Sequence, residues 1–179
     1  MKYLQLFFSV LLLGFVACEN DVAKIKLITS KSTLPEISSH DITIYYSDSG
    51  QVQARLTSPQ MDNFTSKKPV TEFPKGIHVV FFDPEMKIQS SLTSNYAIKR
   101  EAENKMEAKD NVVVVNEKGE QLNTEHLIWD ETRAKIFSDA FVKITTADEI
   151  IYGTGFEANQ DFTQYKIFKI NGTINLKKD

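Results

Sequence analysis

Residues 151–158 read "IYGTGFEA", and inside them Gly153-x-Gly155-x-x-Ala158 fits the glycine pattern of a dinucleotide-binding turn. Two readings of these glycines lead to two different folds. A dinucleotide turn opens a helix, belongs to a βαβ unit, and is followed by an acidic residue about 20 positions on. After Ala158 only 21 residues remain, "NQDFTQYKIFKINGTINLKKD", which leaves no room for that unit. They read instead as two strands around Asn171-Gly172, a strong hairpin signal. In that register Tyr165 and Ile167 share a face with Ile174 and Leu176. Gly153 is then a strand glycine, which marks a bulge, a sharp bend or a place where something approaches the backbone closely.

The same texture recurs along the rest of the chain. "DITIYYSDSG" at 41–50, "GIHVVFFDPE" at 76–85 and "NVVVVNEKG" at 111–119 are short apolar or β-branched runs that end in turn clusters, which suits strands. The segment "NYAIKREAENKMEAK" at 95–109 is rich in helix formers, yet a repeat assigns it to two strands joined by a polar turn. Aliphatic residues recur at Leu56, Leu92, Leu122 and Ile151, the last three at spacings of 30 and 29. Each is followed two places on by a small residue: Ser58, Ser94, Thr124, Gly153. A second stripe, Met106, Ile136 and Tyr165, keeps the same spacings of 30 and 29. About four phased units of some thirty residues, each with two to three short strands, predict an all-β antiparallel stack. A helix over 95–109 would break the phase.

A chain of 179 residues holds one domain with a real core. Its net charge of −3 excludes the strongly basic surface that nucleic acid requires. At the N-terminus, "MKYLQLFFSVLLLGFVAC" has a lysine, then an apolar run from Tyr3 to Ala17 that is shorter than the ~20 residues of a spanning helix. It reads as a signal peptide over 1–17. The chain's one cysteine, Cys18, comes directly after it. "FVAC" resembles a lipobox, although Phe15 stands where leucine is usual, and the resemblance implies a lipid on Cys18. Removing residues 1–17 takes the charge from −3 to −4, because Lys2 is the one charged residue there. Residues 18–40 read as the lipidated cysteine and a polar tether, and 41–179 as the folded domain.

The chain offers no catalytic or metal set. His40, His78 and His126 lie far apart without ligand spacing, and no free cysteine remains after Cys18. No cofactor is expected. Lys99, Arg100, Lys105 and Lys109 gather around one turn, fitted either to lipid phosphates or to a solvated loop.

The residues Gly119-x-x-Leu122-x-Thr124-x-x-Leu127-x-Trp129-Asp130, then Ser138-Asp139, then Gly153-Thr-Gly155-Phe156-Glu157-Ala158-Asn159, resemble the LptC family. That family belongs to the OstA-like superfamily of export β-jellyrolls. "FPKGIHVVFFD" at 73–83 and "YAI" at 96–98 are similar to the family's first half. The resemblance implies a twisted, boat-shaped antiparallel β-jellyroll in the periplasm. It implies that the protein accepts lipopolysaccharide from an inner-membrane export ABC transporter and passes it to a periplasmic OstA-like bridge protein. Many members are held by a transmembrane helix; here Cys18 implies a lipid anchor in the inner membrane, with the outer membrane as the alternative.

For such a carrier the expected groove lining is Leu56, Met61, Leu92, Met106, Leu122, Leu127, Trp129, Ile136, Ile151, Gly153 and Phe156. The alternative is that these side chains pack on one another as a closed core. The expected partner edges are the first strand, with Ile42 and Ile44, and the last hairpin, with Ile167, Ile170, Ile174 and Leu176. A competing function is a lipoprotein β-sandwich that binds another amphiphile or serves as a structural envelope component.

Overall fold

The computed structural model describes residues 34–65, 68–159 and 162–176. The proposed signal peptide, Cys18 and the tether as far as residue 33 lie outside the described residues. Among these, eleven strands form one antiparallel sheet: β1 (Ile37–Asp48), β2 (Gln51–Phe64), β3 (Val70–Phe73), β4 (Ile77–Phe82), β5 (Ile88–Ser94), β6 (Tyr96–Arg100), β7 (Lys105–Asn116), β8 (Gln121–Asp130), β9 (Lys135–Thr145), β10 (Glu149–Asn159) and β11 (Tyr165–Asn175). The first strand starts at Ile37, four residues before the domain start expected at residue 41.

Connectivity is simpler than the count suggests. β3 and β4 both pair with β2, and β5 and β6 both pair with β7. They also pair with each other as β4–β5 and β3–β6. Each couple is therefore one long strand broken in the middle, at residues 74–76 and at Asn95. Counted so, nine long strands run up and down in chain order, each beside its sequence neighbour. The thirty-residue repeat is two long strands, an up and a down, not two to three short ones. Leu56, Leu92, Leu122 and Ile151 fall on β2, β5, β8 and β10, while Met106, Ile136 and Tyr165 fall on β7, β9 and β11. The 95–109 segment is β6, a 3₁₀ turn at Glu101–Glu103 and the start of β7.

A crease crosses the sheet at mid-strand. Register shifts occur between Lys109 and Val112, between Thr124 and Ile128, and between Thr154 and Phe156. The backbone turns left-handed at Asp41, Asp110, Asn111 and Gly155. Gly155, at φ +81, supplies the geometry that an L-residue resists. The row of small residues in the repeat marks this crease. Ser58 Oγ donates to the Gly76 carbonyl at 2.7 Å, Ser94 Oγ to the Tyr96 carbonyl at 3.0 Å, and Thr124 Oγ1 to the Phe141 carbonyl at 2.9 Å. All three residues are buried. Bulges take backbone groups out of the ladder, and a buried carbonyl needs another partner; short hydroxyl side chains supply it.

The creased sheet doubles over so that distant strands meet face to face. Tyr46 of β1 and Phe81 of β4 both contact the Trp129 ring of β8 edge-on, at 5.5 and 5.8 Å between centroids. Between the layers lies one apolar core. Among the described residues the sheet is folded but not closed, since there β1 pairs only with β2 and β11 only with β10.

The expected hairpin at Asn171-Gly172 does not form. β11 runs unbroken from Tyr165 to Asn175, with Gly172 opposite Tyr152 and Ile170 opposite Gly153. Asn171 is the extra residue of a bulge, and its side-chain amide donates to Thr154 Oγ1 at 3.0 Å. Neither residue has the positive φ that a tight primed turn demands. With no turn to reverse the chain, alternation puts residues an odd number of positions from Tyr165 and Ile167 on the opposite face. Tyr165 and Ile167 pack on the core, whereas Ile174 and Leu176 are exposed rather than sharing that face.

Candidate lipid-handling interior and sheet edges

The repeat places its aliphatic residues on the inner face by alternation, because every second residue of a strand points the same way. Leu56, Leu92, Met106, Leu122, Leu127, Ile136 and Phe156 are all buried, none more than 5 % exposed. Met61, Trp129 and Ile151 are half-buried and pack against them. The fold thus brings the whole expected lining together between the two layers.

It does not leave an open trough. The space enclosed by Ile77, Leu92, Met106, Leu127, Trp129 and Ile136 amounts to about 10 Å³. A second void, toward Val114, Leu122, Ile144, Phe156 and Phe162, is about 20 Å³. Each holds roughly one water molecule at most. The expected groove is closed in this conformation because side chains from opposite layers interdigitate. Two larger clefts, about 490 and 430 Å³, open to solvent along the crease. One adjoins Asp41, Ser58, Lys75 and His78, and the other adjoins Arg133, Phe137, Asp139 and Phe168.

Gly153 is buried for a reason internal to the fold. A Cβ there would collide with Ile167 Cγ2 and stand 2.7 Å from the Lys169 carbonyl oxygen. The close approach inferred from sequence is real, and what approaches is the neighbouring strand β11.

Phe162 was not expected and stands apart from the other core residues. It is 3 % exposed and is the one buried hydrophobic among the described residues that lies outside a strand. Its φ is +57. The other non-glycine residues with positive φ are all exposed. Burying a phenylalanine contributes about 1.5–3 kcal/mol, and a left-handed backbone at a bulky residue costs about 1–3 kcal/mol. The two nearly offset. The ring stacks on Phe156 at 6.0 Å and Phe156 stacks on Tyr165 at 5.9 Å. No periodicity signals this burial, since "NQDFTQ" reads as a polar turn.

At the edges, Ile42 and Ile44 of β1 are half-buried and lean on the core. Outward apolar residues lie at both edges: Ile37 and Tyr45 on β1 are 55 and 59 % exposed, and Phe168, Ile170 and Ile174 on β11, with Leu176 just past its end, are 44 to 64 % exposed. Ile167 packs inward. A long edge strand with an apolar exposed row is a ready template for another chain.

Three of the four cations of the basic turn are paired with carboxylates. Arg100 Nε and Lys109 Nζ lie 2.9 and 2.8 Å from the Glu107 carboxylate, and Lys99 Nζ lies 3.3 Å from Glu131. Burial pushes the Glu107 carboxyl up, but hydrogen bonds and charge from Lys109 and Arg100 outweigh it and hold the group at about 2. A site for lipid phosphate would need cations free of such partners. Burial, with Glu131 and Glu101 nearby, pushes the Tyr46 hydroxyl well above its ordinary range, so the ring enters the layer contact uncharged. No metal-ligating cluster occurs among the described residues, and no helix among them is long and apolar enough to cross a membrane.

The described residues thus form a creased antiparallel jellyroll with an apolar interior and two edge strands, β1 and β11. Residues 3–173 match the family model described as lipopolysaccharide-assembly, LptC-related, so the chain belongs to the LptC family. That family is one of periplasmic transport-bridge proteins, not of enzymes, and membership places the chain in lipopolysaccharide transport with the Lpt system. No curated protein matches the chain.

Proposed function

We propose that this protein receives lipopolysaccharide from the inner-membrane ABC transporter, holds acyl chains between its two β-layers, and hands them to the next periplasmic jellyroll. The observation that carries the reading is the unclosed sheet: among the described residues, one continuous apolar interior lies between layers whose outer strands, β1 and β11, are not paired with each other. A barrel would have to break hydrogen bonds to admit a lipid; a folded, open sheet has only to let its layers part.

Magnitudes favour shallow insertion. Each buried methylene contributes about 0.8 kcal/mol, so complete burial of a 14-carbon chain would contribute on the order of 10 kcal/mol. Several chains held so would not leave again. An interior that is packed when empty supports a carrier better than a roomy pocket does, because restoring its own contacts helps expel the lipid. Leu56, Leu92, Leu122, Leu127, Met106, Ile136 and Phe156 are the residues assigned to the acyl path, with Met61, Trp129 and Ile151 at its margins. Gly153 supports the path by letting β11 sit close.

In this reading β1, through Ile42 and Ile44, faces the transporter. β11, through Ile170, Ile174 and Leu176, adds a strand pairing to the next carrier, while Ile167 anchors it to the core. A lipid on Cys18 would hold the protein at the inner membrane.

Photo-crosslinkers at Leu122 and Ile151 should capture lipopolysaccharide, and in higher yield while the transporter hydrolyses ATP; no adduct at either site would reject the acyl path. The Ile174→Lys/Leu176→Lys variant should lose the next carrier yet keep its fold, and undiminished binding would reject the β11 assignment. The second reading is a structural envelope component that binds no lipid, with which a packed interior is equally consistent. Recovery of transporter subunits with the lipidated protein, together with bound lipopolysaccharide, separates the two.

A further inference from the structure

The geometry points to Phe162 as a displaceable stopper, whose ring fills one end of the interior and swings out when an acyl chain takes its place. This rests on the acyl-path reading above and assigns the position at which that path opens.

Three observations converge on this residue. The void of about 20 Å³ beside Val114, Leu122, Ile144, Phe156 and Tyr165 has the Phe162 ring as part of its wall. Removing that ring would join the void to a space the size of a benzyl group, lined wholly by apolar side chains apart from Glu120, Gln121 and Asn116 at the rim. A flat aromatic ring stacked on Phe156 at 6.0 Å and 21° leaves behind a slot whose floor is another ring, a shape suited to an extended hydrocarbon chain.

The other walls are harder to move. Leu122, Ile144 and Phe156 lie on strands that are hydrogen-bonded on both sides. Phe162 belongs to the β10–β11 turn. Among the described residues, the bonds across that turn run between Asn159 and residues 162–164: Phe162 N–H to the Asn159 carbonyl at 3.1 Å, Asn159 N–H to the Gln164 carbonyl at 3.2 Å, Gln164 N–H to Asn159 Oδ1 at 2.9 Å, and Asn159 Nδ2 to Thr163 Oγ1 at 2.7 Å. Swinging the ring out breaks no strand pairing. It also lets a bulky residue leave the left-handed region at φ +57, which L side chains with a ring disfavour. Among the core side chains, this is the one whose departure the backbone assists.

The test uses the full-length chain with a photo-crosslinker at Leu122 and micelles of purified lipopolysaccharide as the probe. Glycine at 162 removes the ring and accepts the backbone geometry. Phe162→Gly should raise the lipopolysaccharide adduct at Leu122 by at least about threefold, because a path that no longer waits for the ring to leave is competent more of the time. In the unmutated sequence, a 4-fluorophenylalanine at 162 should move from a buried to a solvent-exposed ¹⁹F signal on lipopolysaccharide addition, while the same label at Phe73 stays buried. This second measurement stands even if Phe162→Gly does not fold. Adducts at Leu122 of equal yield with and without the ring, or a 162 signal that stays buried while adducts form, would overturn the stopper and leave the acyl path intact. Absence of adducts in both proteins would overturn the path and the stopper with it.

Discussion

The rings of Tyr46 and Trp129 meet edge to face at 5.5 Å, and this contact ties the first strand of the sheet to the eighth. Nothing in the hydrogen-bond ladder joins β1 to β8, so the doubling of the sheet is held there by side chains alone. Such a pair contributes about 0.5–1.5 kcal/mol beyond its buried area. A double-mutant cycle with Tyr46→Leu and Trp129→Leu, read by urea unfolding, should return a coupling energy in that range.

Gly153 should be the least replaceable glycine on the second layer. Its missing Cβ leaves room for Ile167 Cγ2 and for the Lys169 carbonyl, and backbone on the far side cannot yield as a flexible side chain would. Gly153→Ala should destabilise the fold by about 1–3 kcal/mol, the usual cost of overpacking. At Gly172 an added Cβ meets nothing within 4 Å, and Gly172→Ala should stay within about 0.5 kcal/mol of the parent. Equal effects at the two positions in a denaturant series would contradict the strand contact described.

The hydroxyls of the crease give a separate prediction. Thr124→Val keeps the shape and removes the donor to the part-buried Phe141 carbonyl; the expected loss is about 1 kcal/mol. Ser58→Ala, which frees the Gly76 carbonyl, should behave alike. Unfolding midpoints that do not fall in either variant would show that the crease does not depend on them.

These residues also show where sequence was sufficient. The phase Leu56, Leu92, Leu122, Ile151 was legible because burial imposes it on every second long strand, and the small residues two places on were legible because every strand must cross the same crease. Family membership came from the same stretches. What could not be read was whatever depended on partners distant in sequence. Asn171-Gly172 carries a local turn signal, and pairing with all of β10 overrides it, turning a hairpin into a bulge. Likewise Phe162 lies in a polar hexapeptide, and its burial depends on where Phe156 and Leu122 stand in three dimensions. Whether the interior is open or packed is a matter of side-chain volumes meeting across two layers, which periodicity does not report.

Acid should weaken the fold through Glu107. Its carboxyl is held at about 2, below the ordinary 4.5, so folding favours the charged form. That contribution is complete above pH 4.5 and is lost as pH falls toward 2. Glu107→Gln should therefore be less stable than the parent at pH 7, by about 1 kcal/mol given partial exposure to solvent. The gap between the two should narrow as pH drops from 4.5 to 2. A gap that is unchanged at pH 2.5 in urea titrations would mean that Lys109 and Arg100 do not hold the carboxylate as described.

Uptake of an acyl chain requires the two layers to part. Spin labels at Tyr45 on β1 and Glu125 on β8, both exposed, would report the separation by pulsed dipolar spectroscopy, in a chain whose Cys18 is replaced by serine. The distance should lengthen and broaden when lipopolysaccharide is added and return when it is removed. A single narrow distance, identical with and without bound lipopolysaccharide, would rule out a carrier that opens between its layers.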